Sequence, residues 1–188
     1  MFWGESCAVP LIVTALLCVT APPVAHAAQR GCPAPDWRTR PGSAVYAYTA
    51  EDVWIAPTTN GRTIGLDGTP LAGKITPGDV VRITATGRVS YGGWFNWRGT
   101  WGPAGNGRRV DPRAAGDWPF RGGRDAALVG KWRGTGTALD VGVDSGCVTV
   151  PPGAGQGLLL VPNDDQRWDN GDVGYTATIE VSHWEKVR

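Results

Sequence analysis

The sequence is short of the residues that long helices and metal–thiolate centres are made from. Its 188 residues hold Met 1, His 2 and Cys 4, and Leu, Glu and Lys are scarce. That composition disfavours long helices, and no helical periodicity persists over several turns anywhere in the chain. His183 is the only His beyond residue 27, and with Cys32 and Cys147 alone it cannot complete a zinc site of the usual Cys/His kind. The apolar run Ala8–Ala21 is interrupted by Pro10 and is too short to span a bilayer comfortably. Strong charge of either sign is also missing: a net charge of +1 argues neither for nor against a nucleic-acid partner.

That apolar run has the length of a secretory h-region. Pro22-Pro23 ends it and Ala25-His26-Ala27 supplies a small-x-small pattern, so cleavage is expected after Ala27. The flanking segment Met1–Cys7 departs from the pattern, with Glu5 and no Lys or Arg; a lipoprotein signal at Cys18 is disfavoured by Leu17. The expected organisation is therefore a signal peptide at 1–27, an extended Pro- and Arg-rich lead-in at 28–43, and one β-domain at 44–188, secreted or otherwise extracytoplasmic. Cys7 and Cys18 leave with the peptide. Cys32 and Cys147 remain, and an even number of Cys in an exported chain favours a disulfide over two separate buried thiols.

What the chain has in abundance is Gly 28 and Pro 15. Strand-like runs stand at Val45–Tyr48, Asp52–Ile55, Val80–Thr86, Arg88–Tyr91, Ala127–Trp132, Leu139–Val143, Cys147–Val150 and Leu158–Val161. The clearest is the last of the chain, where Tyr175, Ala177, Ile179 and Val181 alternate with Thr176, Thr178, Glu180 and Ser182, the period of a half-buried strand. Asn60-Gly61, Asp67-Gly68, Pro77-Gly78, Gly134–Gly136 and Pro151–Gly155 punctuate these runs as turns. The pattern is that of an all-β sandwich or barrel. Gly92–Asp125 is different: rich in Gly, Arg and Trp, without alternation, and long enough to be functional or poorly ordered.

Two apparent motifs fail on chemistry. Gly68–Lys74 has the spacing of a phosphate loop, but Ile75 stands where Ser or Thr is needed and Pro77 forbids the following helix. Asp165–Thr176 has the length of an EF-hand loop, but Asn170 replaces its Gly and no Glu closes it. The surviving signal is Asn163-Asp164-Asp165-Gln166-Arg167-Trp168-Asp169-Asn170-Gly171-Asp172. Carboxylates and amides so concentrated suit a calcium ion, which takes oxygen ligands from side chains and backbone carbonyls. The same residues also suit a solvated turn held by side-chain-to-backbone bonds. From composition alone, both readings stand.

The blocks PGDVVRITATGRVSYGG, WGPAGN, ALVGKW, GLLLVPNDD and then DN before VGYTATIEV follow one another in this order. In that order and approximate spacing, over roughly Ala44–Val181, the chain resembles the PA-I galactophilic lectin family. The resemblance implies a jelly-roll β-sandwich of the galactose-binding-domain-like kind, with one Ca2+ at its edge bridging sugar hydroxyls. It further implies that Tyr91 and about Gln166 give backbone carbonyls to the ion, that Asp164 touches both metal and sugar, and that Asp169 and Asn170 match the family's paired Asn ligands. Where the family has a His followed by Pro on the galactose, the nearest match is Asp111-Pro112.

In the irregular segment, Trp94, Phe95, Trp97, Trp101 and Trp118 offer flat faces for sugar rings or bases, and Arg98, Arg108, Arg109, Arg113, Arg121 and Arg124 add positive charge. A galactose-type or acidic glycan is the expected partner, and nucleic acid the weaker fit. Expected ligand contacts are Asp164, Asp169, Asp111 and Trp101. A hydrolase is disfavoured, because His183 has no nucleophile motif near it and Glu51, Glu180 and Glu185 sit in no recognisable glycosidase pattern. A structural or interaction domain of the cell envelope, with a calcium-stabilised loop and no sugar, is the competing expectation.

Overall fold

The computed structural model describes residues 32–36, 38, 42, 44–56, 62–64, 71, 75–92, 98–154, 157–171 and 173–187. The expected signal peptide with Cys7 and Cys18, much of the lead-in, the turns at Asn60-Gly61 and Asp67-Gly68, most of Gly68–Lys74, Asp172 and the rings of Trp94, Phe95 and Trp97 lie outside the described residues.

Ten strands follow in chain order: β1 (Ala44–Ile55), β2 (Arg62–Ile64), β3 (Val80–Gly87), β4 (Val89–Tyr91), β5 (Gly99–Trp101), β6 (Leu128–Trp132), β7 (Ala138–Asp140), β8 (Asp144–Thr149), β9 (Leu158–Pro162) and β10 (Tyr175–Lys186). They pair antiparallel into a sheet of order β1-β10-β3-β8, a second of order β2-β9-β6-β7, and the small hairpin β4-β5. With that hairpin set aside and the other strands renumbered, the two orders read 1-8-3-6 and 2-7-4-5, the connectivity of a jelly roll. The fold is thus the all-β jelly-roll sandwich expected from the sequence, with β4-β5 inserted in the third connection.

Alternation explains the layering. Tyr175, Ala177, Ile179 and Val181 of β10 are wholly buried and meet Val81 and Ile83 of β3 in one cluster with Leu128, Trp132, Leu158 and Leu160 from the opposite sheet. Burial of each large apolar side chain contributes roughly 1.5–3 kcal/mol, which offsets chain entropy for the sandwich as a whole. Ser182, on the polar face by period, is nevertheless buried, because its hydroxyl bonds the Cys32 carbonyl at 3.2 Å and pairs with the Tyr46 hydroxyl at 3.1 Å. Cys32 is itself tied to Cys147 by a disulfide across 115 positions. A loop of that size supports about 4–5 kcal/mol in the chain-entropy model.

Several boundaries differ from the sequence reading. Val45–Tyr48 and Asp52–Ile55 are one strand, because Thr49, Ala50 and Glu51 continue the register against Val181, Glu180 and Ile179. Leu139–Val143 contributes a strand only to Asp140, and β8 begins earlier than expected, at Asp144. A register shift opposite Arg82–Thr84 leaves Ile83 without a ladder partner in β8, and the Ser145 hydroxyl accepts its N–H at 2.9 Å instead. Among the described residues no helix is long and apolar enough to cross a membrane.

Candidate functional site

The acidic loop leaves β9 at Asn163 and returns to β10 through a short 3-10 turn, Arg167–Asp169. Asn163 is not a spare ligand. Wholly buried, it accepts the Phe120 N–H at 3.0 Å and donates to the carbonyls of Phe120 and Arg124 at 3.0 and 2.9 Å. Its backbone pairs with Ala126 N and Ala127 O. This amide pins the Gly-Arg-Trp segment against the end of β9. At the other end of the loop, Gly171 donates to Ser90 O at 2.8 Å, which lays the loop beside β4 and hence beside Tyr91.

Between these two anchors the carboxylates are poorly provided for. Asp164 is 3 % exposed. Its Oδ1 accepts a long bond of 3.4 Å from Gln166 N, the Asn170 side chain lies within reach of the carboxylate, and its Oδ2 is buried with no hydrogen-bond partner among the described residues. Burial raises its pKa above the ordinary carboxylate range; Asp165 and Asp169 raise it further, and the Gln166 amide and Asn170 side chain pull it down. Asp165 Oδ1 and Asp169 Oδ1 are likewise buried without hydrogen bonds, although Asp165 lies 3.6 Å from the Arg98 guanidinium. Arg167 does not neutralise Asp164 with its Nη1, which donates instead to the backbone carbonyls of Asp164 and Asp117 at 2.7 and 3.1 Å.

The fold therefore brings Tyr91, Asp164, Asp169 and Asn170 to one edge of the sandwich. No three His, Cys, Asp or Glu side chains among the described residues gather closely enough to hold a metal alone. A cation here would draw on two carboxylates, Asp164 and Asp169, completed by the Asn170 amide and by carbonyls. The Tyr91 carbonyl already accepts Arg98 N at 2.7 Å, and the Gln166 carbonyl accepts Asp169 N at 3.1 Å. Each retains a second lone pair.

Tyr91 contributes more than its carbonyl. Its hydroxyl stands 2.8 Å from that of Tyr175, and both lie 2.9 Å from the carbonyl of Ala126. Burial, then the neighbouring Tyr175, then the charge of Asp164 hold the Tyr91 phenol far above its ordinary pKa. Ala126, at φ 57°, is the one described non-glycine residue with positive φ. This conformation is disfavoured for a residue with a Cβ. The Tyr pair and Asn163 over-determine it.

Asp111 is exposed and spends its Oδ1 on its own turn, accepting Arg113 N at 2.7 Å. The same loop reaches the acidic loop only farther on, where Gly116 abuts Asp165. Trp101 is half-buried in β5 and packs partly on the core. One aromatic outside the expected ligand contacts neighbours Asp169 in the chain. Trp168, in the 3-10 turn, is 78 % exposed, more than any other large apolar side chain among the described residues. Its place between Arg167 and Asp169 was the available signal. Of the acid–base residues weighed for hydrolysis, Glu180 accepts the Tyr48 hydroxyl at 2.5 Å on the outer sheet face, and buried His183 pairs through Nε2 with Glu185 at 3.0 Å.

No protein-family model matches the chain, and no curated protein sequence matches it. Among solved structures, the chain is similar to the N-terminal domain of EclA, described as a PllA-like lectin. The identity is 19 %, the TM-score 0.45, and the match covers 76 % of this chain and 98 % of that one.

Proposed function

We propose that the chain is a secreted, non-catalytic, calcium-dependent carbohydrate-binding domain. The observation that carries this reading is Asp164: a buried carboxylate with an orphaned Oδ2, flanked by two more carboxylates, in a loop whose far end is bonded to β4 through Gly171 and Ser90. Such a group is costly to leave charged and unpaired. A hard cation with oxygen ligands would relieve it. Asp164, Asp169, Asn170 and the carbonyls of Tyr91 and Gln166 would hold the ion. Calcium bound there would supply open positions for vicinal sugar hydroxyls, with Asp164 and Asp169 accepting from the same hydroxyls and Trp168 offering a face for the ring.

A second reading keeps the calcium and drops the sugar. It is favoured by Asp111, whose carboxylate closes its own turn where the resembling lectins place a sugar contact. Asp164→Ala separates the two. Calorimetry with calcium, followed by a glycan array with and without chelator, should show loss of both metal and glycan binding in this variant. Retained partner binding by a metal-free variant supports the second reading, and no calcium binding by the wild type at millimolar concentration removes the mechanism.

A further inference from the structure

Beside the acidic loop lies a groove of about 510 Å3 lined by Arg98, Trp101, Asn106, Arg108 and Asp125. Its wall is rigid. Asn106 Nδ2 donates to Asp125 Oδ2 at 2.6 Å, Asn106 Oδ1 accepts Arg108 N at 2.9 Å, and Asp125 N donates to Arg108 O at 2.9 Å. Gly105 permits this approach: at φ +78°, a Cβ there would lie 2.3 Å from Asp125 O. The indole of Trp101 rests against Gly99, where a Cβ would lie 3.2 Å from three of its ring atoms, so its exposed remainder belongs to the groove.

The charges are unequal. Asp125 is occupied by Asn106, whereas the Arg108 guanidinium is exposed and has no hydrogen bond or ion pair among the described residues. Arg98 has one long, half-exposed ion pair, 3.6 Å to Asp165, of a kind that holds a side chain weakly. We propose that this groove is a second subsite, for an anionic sugar unit whose carboxylate or sulfate is held by Arg108 with help from Arg98 while its ring lies on Trp101. A planar guanidinium offers paired donors that fit either anion. The cavity of about 360 Å3 around Lys131–Gly136 and Leu159 serves as a contrast: it is basic, but its Trp132 is buried and no carboxylate or amide side chain lines it.

The inference rests on the carbohydrate-binding reading and sharpens its ligand class. Its test is calorimetry on the full chain in calcium at about 0.15 M salt, with α-1,4-trigalacturonate, the neutral α-1,4-galactotriose and a sulfated galactotriose. The wild type should bind at least one anionic trisaccharide about tenfold more tightly than the neutral one, a difference of about 1.4 kcal/mol. Arg108→Gln should remove that preference and leave neutral binding unchanged, and Arg108→Lys should restore part of it. The trisaccharide that loses most identifies carboxylate or sulfate as the anion. Equal affinity for all three, or a preference that survives Arg108→Gln, overturns the subsite and leaves the calcium-lectin reading standing. No binding of any trisaccharide, or tighter binding of a single-stranded oligonucleotide, overturns both.

Discussion

Asp79 and Asp164 are both almost fully buried, at 5 % and 3 % exposure, and burial raises the pKa of each above the ordinary carboxylate range. Their surroundings differ. Asp79 closes the Thr76-Pro77-Gly78 turn: its Oδ2 accepts the Thr76 amide at 2.7 Å and the Thr76 hydroxyl at 2.8 Å. His183 also acts to lower the pKa of Asp79, after the Thr76 bonds. Asp164 has one long amide bond, the Asn170 side chain, and two carboxylate neighbours that repel it. A buried carboxylate with donors in its own turn is a self-sufficient structural device. One that gathers like charge and leaves an oxygen orphaned lacks that provision among the described residues.

If the proposed calcium site is real, the largest effect expected from this contrast is on calcium stabilisation. At calcium a hundredfold above its dissociation constant the wild type should gain about 2.7 kcal/mol, and Asp164→Ala should show no calcium-dependent rise in melting temperature. Asp79→Ala should cost roughly 1–3 kcal/mol by orphaning the Thr76 donors, yet keep the full calcium response in the same scan. A reversed pattern would break the comparison.

A smaller effect is the pH slope without calcium. A carboxyl with a raised folded pKa binds its proton more tightly in the native state, so stability is highest below the ordinary carboxylate pKa of about 4 and falls as pH rises through the folded value. Asp164→Asn should therefore gain on the wild type as pH rises through that window in chelator, and calcium should abolish the gain; denaturant melts across the pH range measure both. Trp168→Ala should lower glycan affinity several-fold with an unaltered calcium isotherm, as expected for a residue exposed beside the ion rather than bound to it. Smallest is Asp144→Asn. This exposed carboxylate has a lowered pKa, first through its bond to Arg82, so its contribution is present above the ordinary carboxylate pKa and lost as pH falls through the folded value. Its melting temperature at neutral pH should barely move.

Alternation made the long strands legible: β3 and β10 stand where period two put them. The short ones were hidden. β2 is only Arg62–Ile64 and lies between two turn signals, and β5 is Gly99–Trp101, where a glycine masks the pattern. Of the site, the acidic loop was visible as composition, but its division of labour was not. Asn163 stands in a string of Asp and Asn, and only its distant partners Phe120 and Arg124 reveal a strut. Burial separates Asp164 from Asp165, and it depends on the packing of residues far apart in the chain. The groove was foreshadowed by Trp and Arg content, but which Arg stays unpaired is a property of geometry.

The disulfide joins Cys32 to β8, whereas the chain that follows Cys32 enters the sheet as β1, at the opposite edge. A pull applied on the N-terminal side of Cys32 thus has a second covalent route, through the sulfur atoms into β8, beside the one into the twelve paired positions of β1 on β10. Under oxidising conditions the first strand should be harder to unzip from its N-terminal side in a force experiment than after reduction. Reduction would transfer the load to β1, and with it the order in which the sandwich gives way.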